Sequence, residues 1–288
     1  MRFEMREWKI GYNIDGDAAG CFGCSAASTA GDGVWRIAPR GIVLCGGYDE
    51  LLHEAEALAG EGFVPDAVVA FFAYNRGIEK TLAALGRLFP GVPFCGGGAA
   101  PAPDGEPKLY PAGGEVSVLF IKDERYVFFH RFRDLHDVSR PLLLEGPDSR
   151  TVTFVTDGER LPAPEWLDML KDAHGFRAGS FENVTLVTAD GYNLHLSGGD
   201  GVLNTGSDIP ASGEVSLGLV SDAEAQERVN AFLTDPSELV FGCAGLRSMT
   251  TDVTAAGACG FLHGEILTSN GAPHFANLMM SALSAVAR

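Results

Sequence analysis

The sequence predicts an α/β fold of mixed α+β character: two related α/β lobes with mixed sheets, packed into one compact body with a pocket between the halves. Three observations predict it. Hydrophobic residues make up 46% of the 288 residues, enough apolar material for a large core. The 37 glycines and 15 prolines indicate many turns and short elements rather than long helices. Short apolar runs also alternate with stretches of helical spacing in both halves of the chain.

The first half predicts a strand–helix–strand unit followed by further strands. Residues 1–40 read as irregular, apart from a possible strand at 8–14. A Pro/Gly loop at 101–114 precedes two strands that we expect to pair across Asp123-Glu124. The elements predicted in this half are strands at 42–45, 67–72, 92–95, 115–122 and 125–132, and helices at 48–60 and 77–89.

The second half predicts the same alternation of strands and helices. Residues 134–150 read as a crossover segment, because Pro141 and Gly146-Pro147 interrupt it. Asp190-Gly191 is a strong hairpin turn signal. The other elements predicted here are strands at 151–155, 184–189, 192–196, 215–220, 239–243 and 260–267, helices at 163–173 and 222–233, and a helix or strand at 276–287. We expect the lobes to comprise residues 1–133 and 134–288.

The charge balance excludes some classes of partner. With 21 Lys+Arg against 38 Asp+Glu, the formal net charge is −17. A protein that binds the nucleic-acid backbone needs a stripe of basic residues, and an anionic membrane surface repels an acidic chain. The longest apolar run, at 67–74, is too short to span a bilayer, and the N-terminus lacks the apolar core of a signal peptide. We therefore expect a cytoplasmic protein with neither nucleic-acid nor membrane partners.

Six cysteines are too few for a disulfide scaffold. Cys21 and Cys24 form the one CxxC pair, and a zinc ribbon would need a second close pair. A thioredoxin-like site would need a helix directly after the CxxC, which the Ala/Ser/Gly-rich sequence there does not predict. We expect this pair to pack in a loop, and we expect no metal and no cofactor.

The densest group of polar side chains lies near the C-terminus. If residues 260–267 form one strand, His263 and Glu265 point to the same face, together with Cys259. A thiol, an imidazole and a carboxylate on one face predict a pocket wall that orients a small ligand. The alternative is a hydrogen-bonded histidine that closes a hairpin.

Cys243 ends another predicted strand, and a glycine lies on either side of the Cys243-Ala244 pair. Backbone N–H groups in such a turn can approach an anion, and Arg247 can add a bidentate donor. The cysteine could line a pocket or be an inert small hydrophobe. It could also be a nucleophile, if His263 lowers the pKa of its thiol.

A run of glycines follows Cys95 at the end of the strand at 92–95. Gly96 and Gly97 could cradle a phosphate with backbone amides, although the run is neither a P-loop nor a dinucleotide-binding fingerprint. Alternatively, they form a tight turn that requires a positive φ.

Several of these motifs resemble the FIST family, which is named for F-box and intracellular signal transduction proteins. The resemblance covers residues 65–121 and 239–283. Its N-terminal part is carried by AVVAFF, GIEKTLAALGRLFPGVPFCGGG and EVSVLFI. Its C-terminal part is carried by Gly242-Cys-Ala-Gly-Leu-Arg247, Gly260-Phe-Leu-His-Gly-Glu-Ile266 and Phe275-Ala-Asn277, of which the second is the most specific.

The resemblance implies a sensory module that binds amino acids or their derivatives. We therefore expect a cytoplasmic small-ligand-binding protein whose ligand is an amino acid or small carboxylate and which signals through a separate partner. The alternative is a cysteine-dependent enzyme acting on a small molecule, with Cys243 or Cys259 assisted by His263 and Glu265. The predicted ligand-binding residues are Cys95, Gly96, Gly97, Cys243, Arg247, His263, Glu265 and Asn277.

Overall fold

The computed structural model describes residues 3–12, 20–24, 34–37, 39–73, 77–99, 115–177, 181–199, 201–233, 238–250, 259–262 and 264–288. Within these ranges the chain forms 21 strands and five helices, arranged as three sheets with helices packed on their faces. This architecture confirms the predicted α/β fold class.

The elements are as follows. The strands are β1 (Arg6–Tyr12), β2 (Gly20–Cys24), β3 (Val34–Ile37), β4 (Arg40–Gly46), β5 (Ala67–Ala73), β6 (Phe94–Ala99), β7 (Val116–Ile121), β8 (Tyr126–Asp134), β9 (Asp137–Glu145), β10 (Thr151–Val152), β11 (Phe154–Asp157), β12 (Glu159–Pro162), β13 (Val184–Val187), β14 (Asn193–Gly199), β15 (Val202–Thr205), β16 (Glu214–Leu219), β17 (Glu238–Cys243), β18 (Cys259–Leu262), β19 (Glu265–Ser269), β20 (Ala272–Ala276) and β21 (Met279–Ala287). The helices are α1 (Tyr48–Gly60), α2 (Ile78–Leu88), α3 (Ala163–His174), α4 (Asp222–Phe232) and α5 (Ala244–Met249).

Strands from distant parts of the chain share the sheets. The first sheet has the order β2-β1-β4-β7-β5-β6-β19-β20, with β3 also paired to β1. The second has the order β10-β15-β14-β13-β16-β9-β11-β12, and the third the order β18-β17-β21-β8. The boundary between residues 133 and 134 therefore falls inside β8, and the C-terminal residues contribute to both the first and the third sheet.

The apolar residues of these elements form a layered core. Helices α1 and α2 pack on one face of the first sheet, and the opposite face packs against the third sheet. Phe71 of the first sheet meets Phe241 of the third edge to face, with 5.7 Å between ring centroids. Helices α4 and α5 cover the outer face of the third sheet, and α3 packs on the second sheet through the buried Trp166.

The predicted pairing of the strands at 115–122 and 125–132 is wrong. β7 lies between β4 and β5 in the first sheet, whereas β8 pairs with β21 in the third. The buried Asp123 between them accepts hydrogen bonds from the backbone N–H groups of Arg40 (2.8 Å) and Arg125 (3.1 Å). These bonds stabilise a corner that carries the chain from one sheet to the other, in place of a hairpin.

Two further predictions are wrong because each missed a strand in a segment that reads as irregular in the sequence. Residues 20–24, which include Cys21 and Cys24, form a strand that pairs with β1 rather than a loop. The expected crossover at 134–150 contains β9, which pairs with β16 and β11. The register of β9 against β16 shifts beside Pro141, which lacks an N–H for the ladder.

Candidate functional site

Glu265 and Cys243 meet in the interior between the first and third sheets. Glu265 begins β19, where its register partner on β6 is Gly97. That glycine has no side chain to occupy the space beside the glutamate. Cys243 ends β17, and its thiol lies beside the Glu265 carboxyl group. Glu265 is 0% exposed and Cys243 is also buried.

Burial favours the protonated form of both side chains. It raises the pKa of Glu265 well above its usual value of 4.5, because the charged form would lose its hydration. Burial also raises the pKa of the Cys243 thiol, and the nearby Glu265 carboxyl group raises it further. Both side chains therefore hold their protons more tightly than they would in water.

The turn between β20 and β21 holds this pair in place. Leu278 adopts a φ of 57°, which is costly for a residue with a side chain, by about 1–3 kcal/mol. Its backbone amide is hydrogen-bonded to the Cys243 sulfur, as are those of Gly245 and Gly264. The amide of Met279 donates to Glu265 Oε2 at 3.3 Å. The strained backbone thus directs consecutive amides at the two buried side chains.

Two buried acceptor oxygens beside this turn lack a donor within the described part of the chain. One is Glu265 Oε1 and the other is Asn193 Oδ1. The backbone oxygen of Asn193 accepts from the Asn277 amide at 3.1 Å, which places Asn193 against the same turn. Because buried polar atoms are nearly always hydrogen-bonded, unpartnered acceptors mark positions that suit a donor from water or a ligand.

A second layer of polar residues fixes Asn193. Its side-chain amide donates to Asp134 Oδ1 at 2.8 Å, and the same oxygen accepts from the His136 backbone amide at 2.8 Å. The buried His136 ring places Nε2 2.8 Å from the Glu182 carbonyl oxygen. These bonds hold the Asn193 amide in one orientation.

A cavity of about 400 Å³ lies close to the same turn. Its walls come from α2, from β20 and from residues around Tyr192 and Asp208, so both halves of the chain contribute. Ser207 connects this cavity to the turn, because its hydroxyl accepts from the Asn277 side-chain amide at 3.3 Å and donates to the Phe275 carbonyl at 3.2 Å.

The structure brings together several residues singled out in the sequence. Glu265, Cys243 and Asn277 surround the strained turn, and Gly97 and Gly96 lie on the strand paired with β19. These glycines belong to strand β6 rather than to a tight turn. Gly96 has a φ of 121°, and a Cβ there would lie 1.9 Å from the Ala70 carbonyl oxygen. Close approach between strands therefore explains the glycine at 96.

Cys95 lies on the same strand but outside this group. Its fully buried thiol packs among apolar side chains between the first and third sheets, and burial raises its pKa. In this environment Cys95 is a small core residue, so a direct contact with a ligand is not expected.

The prediction that residues 260–267 form one strand is wrong. β18 pairs with β17 in the third sheet, whereas β19 pairs with β6 and β20 in the first. Gly264, with a φ of 85°, lies at the break. Cys259 and Glu265 therefore do not belong to one strand, and the side chains between them do not alternate in one register. His263 lies outside the described residues, as do the side chains of Cys259 and Arg247.

Sequence reasoning missed Asn193 and Leu278. Asn193 follows the predicted hairpin turn and reads as an ordinary strand residue, so no local signal marks it. Leu278 follows the Phe275-Ala-Asn277 motif, but a leucine gives no indication of a positive φ. Only the folded chain brings these residues to Glu265.

Comparison with known protein families found no matching family model, and comparison with curated proteins found no match. The resemblance to the FIST family therefore remains a prediction. None of the helices in the described residues is long and apolar enough to cross a membrane. Among the same residues, no three His, Cys, Asp or Glu side chains are grouped as metal ligands would be.

Proposed function

We propose that this protein is a cytoplasmic, FIST-like sensory protein that binds a small ligand, an amino acid or small carboxylate, and signals through a separate partner protein. The observation that carries the proposal is Glu265, a fully buried carboxyl group whose Oε1 has no donor among the described residues. An ammonium group on a ligand would supply that donor. Pairing with an ammonium would also offset the cost of burying the ionised carboxylate.

The surroundings of Glu265 support binding over chemistry. Its Oε2 and the Cys243 sulfur are already held by backbone amides, so the remaining oxygen has a fixed position. Arg247, in the short helix that follows Cys243, remains the predicted partner for a ligand carboxylate. A zwitterionic ligand would then be held at both of its charged ends.

The cysteine-dependent enzyme remains the alternative, and one observation favours it. Three backbone amides, those of Leu278, Gly245 and Gly264, are directed at the Cys243 sulfur and would stabilise a thiolate. Burial has the larger effect and raises the pKa of the thiol. A catalytic cysteine needs a lowered pKa, so the balance supports ligand binding.

A thermal-shift screen of the common amino acids and small carboxylates tests the proposal. We expect at least one compound to stabilise the wild type. Glu265→Gln removes one charge-assisted hydrogen bond, so affinity should fall by about 10- to 150-fold. Arg247→Ala should weaken binding as well. Since glutamine has nearly the volume of glutamate, the melting temperature without ligand should not fall by more than a few degrees.

The matched control is Glu56→Gln, on the exposed face of α1, which should bind like the wild type. Two results would contradict the proposal. One is an equal ligand-induced shift in the wild type and in Glu265→Gln. The other is a sharp loss of stability in ligand-free Glu265→Gln, which would make the carboxyl group purely structural.

A further inference from the structure

The cavity beside α2 has the size of a binding site. Its volume of about 400 Å³ falls within the range of about 300–1,000 Å³ that small-molecule pockets occupy. Its walls combine apolar side chains, such as Leu82 and Phe275, with the carboxylates of Glu79 and Asp208. Such a mixture of apolar surface and a few polar groups is typical of ligand pockets.

Two carboxylates, those of Glu79 and Asp208, and the guanidinium of Arg87 line the cavity. Arg150, whose side chain is 14% exposed, forms ion pairs with both Glu79 Oε1 and Asp208 Oδ1, the latter at 2.9 Å. Two carboxylates therefore share one guanidinium. Glu79 Oε2 is shielded from water and has no donor within the described part of the chain. Arg150 itself does not line the cavity, and Arg87, which does, is exposed to solvent.

Partial burial makes the negative charge of Glu79, whose side chain is 24% exposed, costly. Loss of hydration raises the pKa of its carboxyl group even though Arg150 lies beside it. A second cation close to Glu79 would stabilise the ionised form and provide a donor for its free oxygen.

An aromatic wall adjoins the carboxylates. The rings of Tyr192 and His274 are stacked, with 4.9 Å between their centroids and 21° between their planes. Both residues line the cavity. An aromatic face attracts a cation, and this attraction is larger where water is excluded.

We propose that this cavity is a second binding site, specific for an organic ammonium ion with an apolar or aromatic body. The ammonium group pairs with Glu79, and the body of the ligand packs against Tyr192 and Phe275. This inference concerns residues other than Glu265 and does not depend on the function proposed above. The hydrogen bond from the Asn277 side-chain amide to Ser207 connects the wall of this cavity with the turn beside Glu265.

Isothermal titration with two matched probes tests this inference. Phenethylamine carries an ammonium group on an aromatic body, and 3-phenylpropionate carries a carboxylate on a similar one. We expect phenethylamine to bind at millimolar concentration or tighter, and 3-phenylpropionate to bind at least about tenfold more weakly. Glu79→Gln should lower the affinity for phenethylamine by about 10- to 150-fold.

Further variants separate this site from the one at Glu265. Tyr192→Leu keeps an apolar wall but removes the aromatic face, so it should also weaken phenethylamine binding. It keeps the test decisive if Glu79→Gln fails to fold. Glu56→Gln, which changes an exposed carboxyl group outside both sites, should bind phenethylamine like the wild type. Absence of phenethylamine binding, equal binding of the two probes, or unchanged affinity in Glu79→Gln and Tyr192→Leu would overturn the inference.

Discussion

At the scale of single residues, Glu265 and Cys243 show how burial sets the protonation of a site. An isolated carboxylate is costly in this interior, so burial raises the pKa values of both the acid and the thiol beside it. The amides at Leu278 and Met279 favour ionisation, but desolvation is the larger effect at both side chains. A ligand that brings its own positive charge would reverse this balance at Glu265.

The raised pKa of Glu265 predicts a specific dependence of stability on pH. The folded chain holds the proton more tightly than the unfolded chain, whose carboxyl group has a pKa near 4.5. This contribution to stability is complete below that value and is lost as the pH rises through the pKa of the folded state. Glu265→Gln has no such proton. The variant should gain stability relative to the wild type by up to about 1.4 kcal/mol per pH unit across this window.

Urea unfolding of both proteins between about pH 5 and pH 7 measures this difference. A stability difference that stays constant over that range would mean that Glu265 is ionised in the folded protein. Glu56→Gln, which changes an exposed carboxyl group, should show no such trend.

The raised pKa of Cys243 predicts slow alkylation. Each pKa unit lowers the fraction of reactive thiolate about tenfold at neutral pH. Iodoacetamide at pH 7 should therefore label Cys243 more than about tenfold more slowly in the folded protein than in the urea-unfolded chain. Peptide mass spectrometry gives both rates. Selective, rapid labelling of folded Cys243 would support the enzyme instead.

At the scale of elements, the hydrophobic periodicity predicted the positions of helices better than the pairing of strands. Helix α1 begins and ends where its apolar spacing predicted. The hairpin of β13 and β14 also forms around the predicted turn at Asp190-Gly191. These features depend on neighbouring residues, so the local sequence contains the necessary information.

Strand pairing depends on residues far apart, and here the sequence predictions failed. β7 and β8 are consecutive strands, yet a corner at Asp123 places them in different sheets. Gly264 likewise separates β18 from β19. For the same reason, the sequence could single out Cys243, Glu265 and Asn277 but could not show that Leu278 and Asn193 join them.

Gly96 provides a test of how closely β5 and β6 are paired. Gly96→Ala would place a methyl group 1.9 Å from the Ala70 carbonyl oxygen, at a φ of 121°. We expect it to abolish folding or to cost several times more than Gly271→Ala. Gly271 has a φ of 77° but open space around its Cα, so its substitution measures backbone strain alone, about 1–2 kcal/mol. Similar urea-unfolding midpoints for the two variants would contradict the close pairing.

At the scale of the whole molecule, the sheets join the two halves of the chain. β19 from the second half of the chain pairs with β6 from the first half. β21 likewise lies between β17 and β8. Removing either half would expose strand edges and the apolar layer between the first and third sheets. The packing therefore favours one cooperative unit.

We accordingly expect a single calorimetric unfolding transition for the full chain. Residues 151–288 expressed alone should not fold, since β19 and β21 would lose their partners β6 and β8. Circular dichroism and amide exchange of that fragment provide the check. Two well-separated transitions, or a stably folded fragment, would contradict this expectation.

The central claim is that a ligand ammonium group occupies the position beside the free oxygen of Glu265. A crystal structure grown with the amino acid or carboxylate that gives the largest thermal shift tests it most directly. The account predicts electron density for a ligand nitrogen within hydrogen-bonding distance, about 2.7–3.2 Å, of Glu265 Oε1. A ligand bound elsewhere, with Glu265 Oε1 contacting only water or protein, would contradict it.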